Sequence, residues 1–159
     1  MGSEMCIRDS FRASNAGASP LAGLPERIRD GLGSSGDGAL ALETDEGPIV
    51  LPARWADDGG RAYAVVLSET LALAAPSRAP AVALQVDLPS SWRARAMMGA
   101  MIRGHGQIAV VAALTSGAGL VTRIAEQAGV EPSDAALVGI RPATVVWWHG
   151  WTSGTVSPA

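Results

Sequence analysis

The sequence contains no lysine; its twelve cationic side chains are all arginine. That absence removes lysine Schiff-base chemistry and the lysine of a phosphate loop. The single cysteine, Cys6, excludes a disulfide framework within one chain and a cysteine-built zinc site. Two histidines, His105 and His149, are too few for most histidine-rich metal sites, so no metal is expected. No apolar run approaches the roughly 20 residues that span a bilayer. The net charge is -3 and no basic cluster stands out, which argues against a nucleic-acid partner. Nucleophile elbow, metal-binding helix and phosphate loop are all missing. Gly117-Ala118-Gly119 is too short for a dinucleotide fingerprint and lacks a preceding strand.

What is present fits one domain, or one subunit of a small oligomer. The chain has 159 residues and is 48% hydrophobic, enough for one real core. The first ten residues, MGSEMCIRDS, resemble translated sequencing-adapter sequence. They are set aside as non-native, which leaves the true N-terminus missing. Residues 11–21 are small, polar and aperiodic and read as a disordered tail. Leu24, Ile28 and Leu32 then recur at helical spacing, with Pro25 and Glu26 at the start and Gly33 beyond the end. A short helix is expected at about 24–32.

Alternation takes over from Gly38. Leu40 and Leu42 share one face, and Asp45, Glu46 and Gly47 signal a turn. Ile49, Leu51, Ala53 and Trp55 share one face of a second strand. Pro52 cannot donate to a ladder, so that strand is expected at an edge or bulged there. Asp57 to Gly60 turn into a third strand carrying Tyr63, Val65 and Leu67. Glu69 to Ala75 reads as a helical turn or two, and Val82 to Leu88 as a fourth strand. Met101 to Val111 is a fifth strand, whose Gly104 and Gly106 mark a bend, bulge or close approach. Thr115 or Ser116 can cap a helix carrying Leu120, Val121, Ile124 and Ala128. Leu137 to Ile140 and Thr144 to Trp151 form a last strand pair, or one strand interrupted at Pro142. Hairpin spacing dominates, so the expected fold is mainly β: a six- to seven-stranded antiparallel barrel, closed or split, with two or three short helices. Its domain spans residues 22–152, followed by a tail at 153–159.

The order of these elements resembles the FMN-binding split-barrel family, the pyridoxamine 5'-phosphate oxidase-like proteins. LPERIRDGL, ALALETDEGPIVLPARW, AYAVVLSET, RAPAVALQVD, MIRGHGQI and VGIRPATVVWWHGW follow one another in family order. The resemblance implies a cytoplasmic homodimer of oxidoreductase type, with flavin mononucleotide in a groove between subunits. Cofactor-binding positions then match Pro52, Ala53, Arg54 and Trp55 on the second strand. Leu67, Ser68 and Thr70 match at the end of the third strand and the start of the helix. Relatives often place a basic residue in that helix. Here Leu71 to Ala75 is apolar, and Arg78 is the nearest cation. Three readings stay open. Arg54 and Arg78 hold a phosphate; the cofactor is a deazaflavin; or the barrel has lost the flavin site and binds haem or another ligand without turnover, or serves as a dimeric interaction module.

Individual residues also have plainer roles. Arg54 reads equally as a phosphate ligand and as a solvated residue facing the Asp57–Asp58 turn. Ser68 and Thr70 read first as helix caps, and Glu69 would repel a phosphate. Arg103, His105 and Gln107 are expected on the solvent face. Alternation puts Trp147, His149 and Trp151 on one side and Trp148 on the other, as core or interface anchors. Trp92, beside Arg93 and Arg95, is expected at an interface.

Overall fold

A computed structural model describes residues 20–58, 61–77, 79–87, 97–110 and 118–157. Cys6, Arg78, Trp92, Arg93, Arg95, Thr115 and Ser116 lie outside the described residues. The described elements run α1 (Glu26–Leu32), β1 (Ser35–Thr44), β2 (Gly47–Asp58), β3 (Arg61–Leu67), α2 (Ser68–Ala74) and β4 (Ala81–Asp87). Then come β5 (Met98–Val110), α3 (Ala118–Ala128), a 3-10 turn (Pro132–Asp134), β6 (Ala135–His149) and β7 (Thr152–Val156).

Every strand pairing is antiparallel. The order is β3-β2-β1-β4-β5-β6-β7, and β3 also pairs with β6. That last pairing closes six strands into a barrel. β7 stands outside the closure: β6 lends Ala135–Ile140 to β3 and Val145–His149 to β7. The six- to seven-stranded expectation is met by this barrel with one added strand.

Alternation fills the interior. Leu40, Leu42, Leu51, Ala53, Trp55, Ala62, Ala64, Val66, Val82, Leu84 and Val86 all point inward and are buried. Leu21, Leu24, Ile28 and Leu32 join the same core, so the apolar stripe of α1 plugs the barrel against β5. A second, smaller cluster lies on the outer side. There Leu120, Ile124 and Ala125 of α3 pack on Ala56, Val65, Ala135 and Leu137, with Tyr63 at its margin.

β6 is one strand, not two. Its pairing with β5 slips between Arg103 and Gly104, where Gly104 faces Pro142 and Arg103 faces Thr144. Ala143 is the extra residue. A bulge of one residue reverses the face that later side chains meet. Ala136, Val138 and Ile140 face the core before it, and Val145 and Trp147 after it. Gly104 is needed there because a Cβ would collide with the Arg141 carbonyl oxygen. Gly106 points into the core, where a Cβ would stand 2.8 Å from Val82 Cγ1.

Four expectations change. The inward face of β3 is Ala62, Ala64 and Val66, while Tyr63, Val65 and Leu67, expected as its apolar face, point outward. Leu21, read as the end of a disordered tail, is buried in the core. Residues 153–156, read as tail, form most of β7. Trp151 does not share a face with Trp147, because it sits in the β6–β7 turn and is fully exposed. Gly150 in that turn has φ 61°, which a side chain would strain. Arg103 and His105 are exposed, as expected for the outer face. No helix among the described residues is long and apolar enough to cross a membrane.

Candidate functional site

The β1–β2 hairpin turns at Asp45–Glu46, with Thr44 facing Gly47. The Thr44 hydroxyl donates to the Gly47 carbonyl at 2.6 Å and fixes that turn. The register this sets places Asp37 opposite Arg54 on the outer face. There Arg54 Nη1 donates to Asp37 Oδ1 at 2.6 Å.

Between β2 and β3 the ladder runs only from Asp58–Arg61 to Arg54–Val65. Beyond it the strands part. β3 stays on β6 through Leu67–Ala135, while β2 stays on β1 through Pro52–Ala39 and beyond. A cavity of about 210 Å³ opens in this split. Pro52, Ala53 and Arg54 line one wall and Val65, Val66 and Leu67 the other. The end of α3 and the chain after it, with Ala125, Ala128, Val130 and Ala135, form the floor. Asp37 stands at the rim. The expected edge at Pro52 is thus real, since its half of β2 has β1 alone as partner.

Four of the eight expected cofactor positions line this cavity: Pro52, Ala53, Arg54 and Leu67. Trp55 is not among them. It is the next inward residue of β2, 2% exposed in the barrel core, with its ring edge against Gly36. Ser68 and Thr70 are half-buried just past Leu67. Neither caps α2: the N-cap is Leu67, and no side chain bonds to the helix start. Ser68 occupies the first helical position instead, where its Oγ is buried without a hydrogen-bond partner. An orphaned buried hydroxyl costs about 1–3 kcal/mol, so it is a donor without its acceptor. Arg54 does not face the Asp57–Asp58 turn; Asp37 is its partner. Sequence reasoning missed Asp37, although a hairpin centred on Asp45–Glu46 counts back from Arg54 to it.

The side chains lining the cavity are apolar except for one ion pair. A phosphate at its edge would meet a single described cation, already engaged. The volume is below the roughly 300–1,000 Å³ of a complete small-molecule site. Among the described residues no cluster of three or more metal-ligating side chains occurs.

No protein-family model matches the chain, and no curated protein matches it in sequence. Solved structures do match in shape. A haem-binding protein from Mycobacterium smegmatis superposes with TM-score 0.58 at 17% identity, covering 84% of this chain. This chain spans only 58% of that protein. General Stress Protein 26 from Bacillus anthracis str. Sterne gives TM-score 0.58 at 12% identity, covering 83% of this chain and 96% of that one. An F420 reductase gives 0.52 at 19%, covering 77% and 98%. Barrel closure, the β2–β3 split and these matches define one class: the chain folds as a split β-barrel. Its fold is that of the flavin-binding, pyridoxamine 5'-phosphate oxidase-like proteins.

Proposed function

We propose that this chain binds a flavin-type cofactor, FMN or a deazaflavin, in the β2–β3 split and works as a cytoplasmic homodimeric oxidoreductase. The observation that carries the reading is the cavity itself. It lies where the two strands part, lined by Pro52, Ala53, Arg54 and Leu67. Ring edges would meet the strand edges that the ended ladder leaves open, and apolar faces would pack on Val65, Val66 and Ala128. A bound flavin would supply the hydride chemistry; the protein would position it and exclude water. Arg54 is the cation for a phosphate end.

The exposed apolar face beside the cavity supports the dimer. Beside the cavity, β2 exposes Pro48, Val50 and Pro52, with Val50 67% and Leu67 48% exposed. A second copy laid on this face would cover them and close the cavity. Gel filtration at the volume of a single chain would count against it.

The direct test is the visible spectrum of the purified protein, then titration with FMN, the deazaflavin F420 and haemin, read by tryptophan fluorescence. Flavin or F420 binding is expected. Failure of both to quench would end the oxidoreductase reading. Arg54→Ala should weaken FMN roughly ten-fold while leaving riboflavin nearly unchanged, one charge-assisted contact having been lost. Equal losses would remove Arg54 as the phosphate ligand. A second reading, a non-catalytic barrel binding haem or another apolar ligand, draws on the ion pair that already occupies Arg54. A sharp Soret band with haemin alone would favour it.

A further inference from the structure

We propose that Asp37 sets the charge selectivity of this cleft, so that a phosphate dianion gains no advantage over an uncharged ligand end; this rests on the flavin reading above. Among the described residues, Asp37 and Arg54 are the only charged ones lining the cavity. They face each other across the β1–β2 ladder and are bonded at 2.6 Å. The charge of the described lining is therefore zero, and its cation arrives with its anion attached.

A phosphate reaching Arg54 must displace Asp37 or share Arg54 with it. Displacement is open, because the Asp37 side chain is 80% exposed and has water to turn to, whereas that of Arg54 is 29% exposed. The displaced carboxylate stays on the neighbouring strand, anchored within a few ångströms, and repels the dianion. Its reach is shortened by salt. A ligand without the phosphate leaves the pair intact. Glu69, in the first turn of α2, adds a second negative charge near the same strand end. Among the described residues α2 contributes no cation to offset either.

Riboflavin and FMN share one ring and differ in the phosphate, so they are the probes. Both are titrated by fluorescence against the full chain and against Asp37→Asn, which keeps the side-chain shape and removes the charge. The wild-type protein should bind the two within about three-fold of each other. Asp37→Asn should tighten FMN roughly ten-fold at low salt and leave riboflavin within two-fold, with the gain shrinking as salt rises. Wild-type protein binding FMN more than ten-fold tighter than riboflavin would overturn the inference. So would an equal shift of both ligands in Asp37→Asn, or none. If riboflavin binds and only the FMN shift is missing, the inference fails and the flavin reading stands. If neither compound binds either protein, the inference fails, and the flavin-type reading then stands or falls with F420. Asp37 lies on the surface, so loss of folding does not confuse the result.

Discussion

Strand β2 serves two regions that follow opposite rules. Its inward residues, Leu51, Ala53 and Trp55, are buried in the barrel interior. Its outward residues, Pro52 and Arg54, line the cavity in the β2–β3 split. Inside, the packing is large and shape-specific: Trp55, Leu40, Leu84 and Ile102 are almost wholly enclosed. Outside, α3 covers a thinner cluster of mostly small side chains, and the cover ends at the cavity. The difference teaches that the pleat of a single strand separates most of stability from ligand recognition, Ala53 alone on β2 serving both core and cavity wall. Interior changes should unfold the protein; outer changes should leave it folded and alter what it holds.

The division predicts a ranking. Trp55→Ala should cost the most, about 3–5 kcal/mol, since it empties the largest enclosed side chain in the barrel. Urea unfolding measures this. A loss under about 1 kcal/mol would mean that the interior does not dominate. Ile124→Ala comes next at about 2–4 kcal/mol. It should also weaken ligand binding, because Ala125 and Ala128 of the same helix floor the cavity. Full stability with lost binding would show that the outer cluster serves the site alone.

How much of this division can be read from the sequence depends on the range of each interaction. Alternation in Leu40–Leu42, Leu51–Trp55 and Val82–Val86 marks both strands and inward faces, because burial on one side leaves a local period. The stripe Leu24, Ile28, Leu32 marks α1 for the same reason. Closure of β3 on β6 has no local signature; its partners lie about 70 residues apart, from Leu67–Ala135 to Ala62–Ile140. The bulge at Ala143 inverts the alternation, which makes one strand look like two. Ser153 to Val156 carries too few apolar residues to announce β7, whose pairing with β6 comes from the Gly150–Trp151 turn. At the site, Pro52 to Arg54 and Leu67 are named only through the family resemblance, and they line the cavity. Asp37 was overlooked although hairpin register predicts it. Ser68 reads as a cap by residue type, but the helix begins at that residue rather than after it.

The outer face offers the smaller effects. Arg54→Ala removes an ion pair whose aspartate is mostly exposed, so stability should fall by less than about 1 kcal/mol. Thermal unfolding checks this; a loss of several kcal/mol would place Arg54 in the fold rather than the cleft. Ser68→Ala should run the other way. Its Oγ is buried without a partner at the first position of α2, where helix propensity also favours alanine. Removing it should leave the ligand-free protein unchanged or up to about 1 kcal/mol more stable. If the hydroxyl is reserved for a ligand, the same substitution should weaken FMN or riboflavin several-fold in titration. A gain in stability with weaker binding would separate the two regions at a single atom. Destabilisation of the free protein would instead mean that Ser68 has a structural partner that the bonding pattern does not contain.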